Sequence, residues 1–343
     1  MIDAFLSAAS RPWLMSEDAL RNLLAIAERT GDLEALQSRV GDRLQGTRRV
    51  SVRDNGVAVV PVIGPIFRYA NLFTEISGAT STQLLALDLQ QASDNPNVSS
   101  ILLEVNSPGG DADGIAELAA AIYGARTRKP IKAYVGGRGA SAAYWLASAT
   151  DEIVVDRTAL LGSIGVVMAA KDSRVRDERA GDRRIEIVSS QSPKKRIDPF
   201  TDAGAAEIQT IVDQLANIFI VDVASNRNVA IDDVMTKFGA GGVLLGVAAV
   251  AVGMADRLGS MEGLLAEMGA NGGRTSSATA GRRSEVDQAT AMLTASFESR
   301  NPLLPPSAAE RAQQQDKLPA GGHAADGDEA LALLRQSFKA QQR

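Results

Sequence analysis

Short apolar runs alternate with longer amphipathic stretches between residues 57 and 168 of the chain. Short runs rich in aliphatic and β-branched residues are typical of strands buried on both faces of a sheet, and they occur at Val57–Ile63, 99–105, 131–135, Glu152–Val155 and 164–168. Between them, the spacing of apolar residues predicts helices at 82–92, 115–123 and 141–149. This alternation predicts an α/β fold with a mostly parallel sheet and helices on its faces.

The second half of the main segment is predicted to add one strand and several helices. Residues 183–189 have the pattern of a strand, and a basic loop follows them. An apolar stripe at helical spacing predicts a long helix over 201–225, with a shorter one at 231–238. Residues 244–258 are rich in Ala and Val, and their pattern predicts a helix followed by a short strand.

Both ends of the chain differ in composition from the middle. Residues 1–50 are polar, and a helical pattern begins after Ser16, a residue typical of a helix N-cap. From residue 269 onwards the chain is rich in Ala, Gln, Ser, Gly and Pro, which is typical of segments without a packed core. We therefore expect an N-terminal helical segment at 1–50, one main domain at 51–268, and a mostly disordered tail with short helices at 269–343.

Composition excludes several kinds of chemistry. The chain has no cysteine and a single histidine, His323, which lies in the tail. A thiol nucleophile, a disulfide framework and a two-histidine zinc site within one chain are therefore excluded, and we expect neither a cofactor nor a metal. The net charge of -5 gives no reason to expect a nucleic-acid partner. Because no apolar run reaches ~18 residues and the N-terminus lacks a signal-peptide pattern, we expect a soluble, unexported protein.

A glycine-rich turn containing one serine joins the predicted strand at 131–135 to the predicted helix at 141–149. The sequence of this turn is Gly136-Gly137-Arg138-Gly139-Ala140-Ser141-Ala142. A serine at such a turn can present its hydroxyl in a cleft, next to the amides at the start of the helix. A turn whose glycines only permit close packing has the same pattern. Ser141 is therefore a candidate nucleophile whose role depends on the rest of the chain.

A second glycine turn, Asn106-Ser107-Pro108-Gly109-Gly110-Asp111, follows the predicted strand at 99–105. In a parallel sheet both turns lie at the carboxyl ends of their strands, the edge where ligands usually bind. The amides of glycines can approach a ligand closely because no side chain intervenes. Gly109 or Gly110, together with Ala142, are the candidate donors of an oxyanion hole for Ser141.

The base that would serve Ser141 is a lysine or a carboxylate, since the only histidine lies in the tail. A lysine acts as a base only where burial or a neighbouring positive charge lowers its pKa. Lys194, Lys195 and Arg196 form a cluster of positive charges in the loop after the predicted strand at 183–189. A solvated basic loop has the same composition, so spacing alone leaves both interpretations open.

Four motifs occur along the chain in a fixed order, and together they resemble a known family. They are Asn106-Ser107-Pro108-Gly109-Gly110, Gly139-Ala140-Ser141-Ala142-Ala143-Tyr144-Trp145, Leu161-Gly162-Ser163-Ile164-Gly165-Val166 and the segment 189–196. In this order they resemble the signal peptide peptidase A family of Ser-Lys peptidases, over roughly residues 55–265. Within that family the chain looks most like the phage and prophage branch of head maturation, or capsid assembly, proteases.

The resemblance implies a fold and a set of site residues. The implied fold is that of Clp protease and the crotonases, in which Ser141 is the nucleophile and Gly109, Gly110 and Ala142 supply the oxyanion donors. Ser163 matches a serine that orients the lysine amine. An ungapped alignment on 185–190 favours Lys194 as the base, whereas a Pro-x-Lys-Arg pattern favours Lys195, which we select. Lys171 is closer to Ser141 in sequence but lacks the motif.

The resemblance also implies a biological role. Without a transmembrane anchor, we expect a homo-oligomeric endopeptidase that cleaves scaffold or capsid proteins, in the host cytoplasm or inside an assembling prohead. A signal-peptide or general protein-degrading peptidase of the same family is one alternative. A crotonase-like acyl-CoA enzyme and an assembly protein with a vestigial site are two others. An α/β-hydrolase is disfavoured by Gly-x-Ser-x-Ala around Ser141 and by the missing histidine.

Overall fold

The computed structural model describes residues 13–15, 50–69, 79–170, 172, 174–181 and 185–270. All of them lie in the first of two compact units, which spans Met1–Arg300. The helix predicted after Ser16, the tail helices and Lys171 lie outside the described residues. The division of the chain at residues 50 and 268 stays a prediction.

The centre of the described fold is an eight-stranded, mostly parallel sheet. Its strands are Ser51–Val52 (β2), Val57–Ile63 (β3), Ser100–Ser107 (β6), Ile131–Ala140 (β8), Glu152–Val155 (β9), Leu160–Gly162 (β10), Val243–Leu245 (β11) and Arg257–Leu258 (β12). The pairs β3–β6, β6–β8, β8–β9, β8–β10 and β9–β12 are parallel, whereas β2 and β11 pair antiparallel with β3 and β10.

A second, four-stranded sheet lies next to the carboxyl end of β6. Its strands are Trp13–Met15 (β1), Ile66–Phe67 (β4), Thr80–Ser81 (β5) and Gly109–Asp111 (β7), in the order β1-β7-β4-β5. Because β6 ends at Ser107 and β7 starts at Gly109, the Pro-Gly-Gly turn is the connection between the two sheets.

Helices cover the sheet, as the alternation of patterns predicts. They are Thr82–Asp94 (α1), Ile115–Ala125 (α2), Ala142–Ser148 (α3), Arg174–Arg179 (α4), Asp202–Arg227 (α5), Ile231–Lys237 (α6), Gly246–Ala251 (α7) and Met261–Ala270 (α8). The described fold is therefore α/β with a mostly parallel sheet and flanking helices, which confirms the predicted fold class.

The helix that follows Ser141 is buried along its whole length. All seven residues of α3 are buried, and Trp145 stacks on Phe219 of α5 with ring centroids 4.5 Å apart. The Tyr144 hydroxyl donates to the Met254 carbonyl at 2.9 Å, and burial raises the pKa of that hydroxyl, so it stays neutral. Such aromatic packing fixes the position of α3, and with it the serine at its N-terminus.

Two predicted strands are wrong. Residues 164–168 form no strand, since the strand in this region is β10, which ends at Gly162. Residues 185–189 of the predicted strand at 183–189 also lack strand structure, and Ile185 and Ile187 are 85% and 94% exposed. Among the residues that the structure describes, no strand pairs with this alternating apolar segment.

Within the described ranges of the chain, one helix is long and apolar enough to cross a membrane by length and composition. In α5 the most apolar 18-residue window has a mean hydropathy of 1.2, and 17% of that window is buried. Phe219, Val223 and Ala224 of this helix pack into the core, whereas Ile211, Ile218 and Val221 are 41–49% exposed. Exposed apolar residues at this spacing are typical of a helix that packs against a partner.

Candidate active site

Ser141 lies at the junction between the long central strand and the buried helix. It is the N-cap residue of α3 and directly follows β8. Its backbone has φ 54° and ψ -121°, which lies in a region that residues with a side chain rarely adopt. Strained backbone of this kind persists where the surrounding structure holds it, and it is concentrated at functional sites.

Two backbone hydrogen bonds hold this strained conformation. The Ser141 amide donates to the Gly162 carbonyl at 2.7 Å, and the Trp145 amide donates to the Ser141 carbonyl at 3.0 Å. The first bond ties the turn to β10 and the second begins the helix. The backbone conformation of Ser141, held by these two bonds, therefore sets the direction of its side chain.

The Ser141 hydroxyl is buried within the described part of the chain. The residue is 1% exposed, and its Oγ has no hydrogen-bond partner among the residues that the structure describes. An unsatisfied buried hydroxyl costs about 1–3 kcal/mol, so such groups are uncommon unless a ligand or a reacting group completes them.

The structure brings the Pro-Gly-Gly turn against Ser141. A Cβ added to Gly109, whose φ is +97°, would lie 2.9 Å from Ser141 Cβ and 2.9 Å from the Ala140 carbonyl oxygen. Gly110 is equally confined, because a Cβ there would lie 1.8 Å from the Ile66 carbonyl oxygen. Only glycine fits at either position, so the backbone of this turn can approach the serine closely.

The three candidate oxyanion donors differ in what their amides contact. Ala142 is the first residue of α3, and amides in the first turn of a helix lack an intrahelical acceptor. The Gly109 amide donates to the Ser107 Oγ at 3.2 Å. Gly110 pairs in register with Leu14 of β1 and Ile66 of β4. The buried Ser107 was not identified from the sequence, although it lies within the Asn-Ser-Pro-Gly-Gly motif.

Ser163 lies close to Ser141 because Gly162, which precedes it, accepts the Ser141 amide. It shares the strained backbone, with φ 53°, and its own amide donates to the Gly242 carbonyl at 2.6 Å. Ile164, the next residue in the chain, lines an apolar pocket of about 210 Å³. The other lining residues are Ile220, Val234, Met235, Ala240 and Gly241. Gly162 and Ser163 therefore connect the Ser141 turn, along the chain, to Ile164 of this pocket.

The structure does not bring the candidate lysines to Ser141. Lys194 and Lys195 lie in a single 3-10 turn, Pro193–Lys195, on an exposed loop. The Lys194 ammonium pairs with the Glu207 carboxylate of α5, and its side chain is 74% exposed. The neighbouring Arg196 pairs with Glu186. Neither lysine is close enough to bond the Ser141 hydroxyl in this conformation.

Residues 13–15 were not identified as part of the site from the sequence. Trp13–Met15 form a strand, β1, that pairs with Gly109–Asp111, and the segment had been expected to be helical. Only an apolar triplet between Pro12 and Ser16 marks the strand in the sequence, and this triplet is too short to be distinctive.

Among the described residues, no group of three or more Asp, Glu, His or Cys side chains is arranged to hold a metal ion.

Comparisons with known proteins relate this chain to peptidases. Residues 125–273 match the model described as Peptidase family S49. Capsid assembly protease C of Escherichia phage lambda is 30% identical over 263 residues, which are 75% of this chain and 59% of that protein. Head-tail preconnector protein GP5 of Enterobacteria phage P21 is 32% identical over 209 residues, covering 60% of this chain and 41% of that protein.

A cellular relative also matches. Protease 4 of Haemophilus influenzae is 29% identical over 219 residues, covering 60% of this chain and 33% of that protein. The chain thus spans less than two thirds of the length of each of these three relatives.

Proposed function

Because residues 125–273 of this chain match the model of peptidase family S49, we propose that the protein is a serine endopeptidase with Ser141 as its nucleophile. The family resemblance carried by the four motifs is confirmed, and the α/β fold is consistent with the Clp protease/crotonase-like fold that it implied. The observation that carries the proposal is the buried Ser141 hydroxyl, which has no hydrogen-bond partner among the described residues and is held on strained backbone against the Pro-Gly-Gly turn.

The proposed reaction proceeds through an acyl-enzyme. A neutral lysine amine takes the Ser141 proton while Oγ attacks the carbonyl carbon of the scissile peptide bond. The amides of Ala142 and of the Gly109–Gly110 turn donate to the oxyanion that forms. The lysine then gives its proton to the leaving amine, and a water molecule, deprotonated by the same lysine, releases the acyl group. Ser163, beside the nucleophile, positions the amine.

The proposed base is Lys195, with Lys194 as the alternative. The loop that carries both is exposed, and its apolar residues Ile185 and Ile187 have no packing partner in the described chain. We propose that this loop packs against Ser141 when it rearranges or when a second copy of the chain binds. The exposed apolar residues of α5 also support a homo-oligomer, because a second copy of the chain could cover them.

The proposed substrates are capsid or scaffold proteins during head maturation. Two matched relatives are named for phage capsid assembly and for the head-tail preconnector, which supports this class of substrate. The corresponding location is the host cytoplasm or the assembling prohead. The apolar pocket that begins at Ile164 suits an apolar side chain of such a substrate.

Hydrolysis of denatured casein tests the proposed reaction class. We expect the full chain to release peptides, a fluorophosphonate to stop the release, and both EDTA and a thiol-alkylating reagent to leave it unchanged, since the chain has no cysteine. Liquid chromatography with mass spectrometry reports the peptides. Loss of the activity in EDTA, or no hydrolysis together with acyl-CoA binding in calorimetry, would contradict a serine peptidase.

A further inference from the structure

The N-terminal strand β1 lies in a slot between β7, which carries Gly109 and Gly110 of the candidate active site, and Val167. On one side it pairs antiparallel with β7, with Trp13 opposite Asp111, Leu14 opposite Gly110 and Met15 opposite Gly109. On the other side the Trp13 amide donates to the Val167 carbonyl at 2.8 Å, and the Val167 amide donates to the Trp13 carbonyl at 3.0 Å. An extended segment is therefore held at both edges by main-chain groups.

The strand passes directly beside the nucleophile. The point where a Cβ on Gly109 would lie is 2.0 Å from the Leu14 carbonyl oxygen and 2.9 Å from Ser141 Cβ. A main-chain carbonyl of the N-terminal segment thus lies against the same glycine as the nucleophile. A peptide bond to be cleaved by Ser141 needs its carbonyl in this neighbourhood.

The side chains of the strand occupy apolar surroundings. Leu14 is 1% exposed and belongs to the main hydrophobic core, and Trp13 is 3% exposed with its ring edge-on to Phe67, 5.9 Å between centroids. The Trp13 Nε1 is buried without a hydrogen-bond partner among the described residues. An indole that is buried with its polar atom unpaired loses part of the stabilisation from its burial, which makes the strand easier to release.

We propose that Trp13–Met15 occupies the slot in which an extended peptide substrate binds, so that the chain's own N-terminal segment blocks Ser141 until it is displaced. Strand addition to a sheet edge obtains affinity from main-chain hydrogen bonds and specificity from side-chain pockets, and β1 makes both kinds of contact. The strand has only three residues, and its tether to the domain keeps its local concentration high. This inference rests on the proposed peptidase function.

A reversible disulfide across the slot tests the block. Because the Trp13 amide and carbonyl both bond Val167, they point away from Asp111, and the two residues form the closer, non-hydrogen-bonded kind of antiparallel pair. Such Cα spacing, typically about 4.5 Å, lies within disulfide range. The chain has no cysteine, so the double variant Trp13→Cys, Asp111→Cys contains a single possible pair.

Casein hydrolysis by the double variant is measured in its oxidised and reduced forms. We expect oxidation to lower the rate at least about 10-fold and dithiothreitol to restore it, because the locked strand cannot leave the slot. The single variant Trp13→Cys, treated identically, controls for the redox reagents and should show no such change. Equal rates in both forms of the double variant would overturn the proposal.

Peptide binding tests the same slot without any catalysis. The host is the double variant with Ser141→Ala added, and the probe is a fluorescent peptide with the sequence of residues 10–18, followed by anisotropy. We expect the peptide to bind the reduced host at least about 10-fold more tightly than the oxidised host, and a scrambled peptide to bind neither. Equal affinity for both forms, or no binding to either, would overturn the proposal. Because the host lacks the nucleophile, this result is independent of whether the chain cleaves peptides.

Discussion

Replacing Ser141 with alanine is expected to lower peptide-bond hydrolysis by at least about four orders of magnitude, because the residue that forms the acyl-enzyme is removed. The fold should not suffer. The Ser141 Oγ makes no hydrogen bond among the described residues, so its removal breaks none, and alanine accepts the φ of 54° no worse than serine. Thermal unfolding should therefore give a melting temperature equal to or above that of the wild type.

Ser148, at the other end of the same helix, is the matched control. It is also fully buried, but its Oγ donates to the Trp145 carbonyl at 2.7 Å and accepts from the Asn226 side chain at 3.1 Å. Ser148→Ala should cost roughly 1 kcal/mol of stability and leave the turnover of the folded enzyme near the wild-type value. Equal losses of activity in the two variants would mean that Ser141 matters for folding and not for the reaction.

Replacing Lys195 with alanine is expected to reduce hydrolysis nearly to the level of Ser141→Ala, because the nucleophile then has no group to take its proton. The residue is exposed in the described conformation, so its loss should leave the unfolding free energy within about 0.5 kcal/mol of the wild type. A large kinetic effect without a stability effect would show that the loop packs against Ser141 during the reaction.

Lys194 provides the comparison for that measurement. Its ammonium pairs with the Glu207 carboxylate on the surface of α5, and surface pairs of this kind contribute about 0–1 kcal/mol. Lys194→Ala should therefore keep most of the activity. If Lys194→Ala is the inactive variant and Lys195→Ala the active one, the assignment of the base is reversed. Full activity in both would exclude a lysine base from this loop.

The central part of the fold was predictable from the sequence because its signals are local and strong. Strands buried on both faces have nearly continuous apolar sequences, and Val57–Ile63 and Glu152–Val155 have the bounds that the pattern predicts. The glycines before α3 were predicted to form a turn, but they lie within β8, none of them has a positive φ, and the residue with the strained backbone is Ser141 itself. The same local reasoning placed Ser141 at a helix N-terminus and the Pro-Gly-Gly turn beside it.

The segment at 183–189 could not be predicted in the same way. The alternating Ile185 and Ile187 have the pattern of a half-buried strand, but a strand also requires a neighbour that offers hydrogen bonds and an apolar face. The described chain supplies neither at that place, and both side chains are exposed. The position of a lysine relative to Ser141 depends on this region, which is why sequence spacing left the choice between Lys194 and Lys195 open.

The strand at Trp13–Met15 illustrates a different limit. Its partners, Gly109–Asp111 and Val167, lie about a hundred or more residues away in the chain, and a three-residue apolar segment carries no periodicity that reveals such a pairing. The pairing depends on the positions of Gly109–Asp111 and Val167 in the folded chain and not on the strand propensity of residues 13–15. Only the folded chain brings the N-terminal segment to the nucleophile.

The most direct test of the central claim is the mass of the protein after prolonged incubation with a fluorophosphonate. We predict that the wild-type chain gains one adduct, that peptide mapping places it on Ser141, and that the Ser141→Ala variant gains none. Ser148→Ala should be labelled like the wild type. A wild-type chain that stays unlabelled, or an adduct on a residue other than Ser141, would contradict the assignment of Ser141 as the nucleophile.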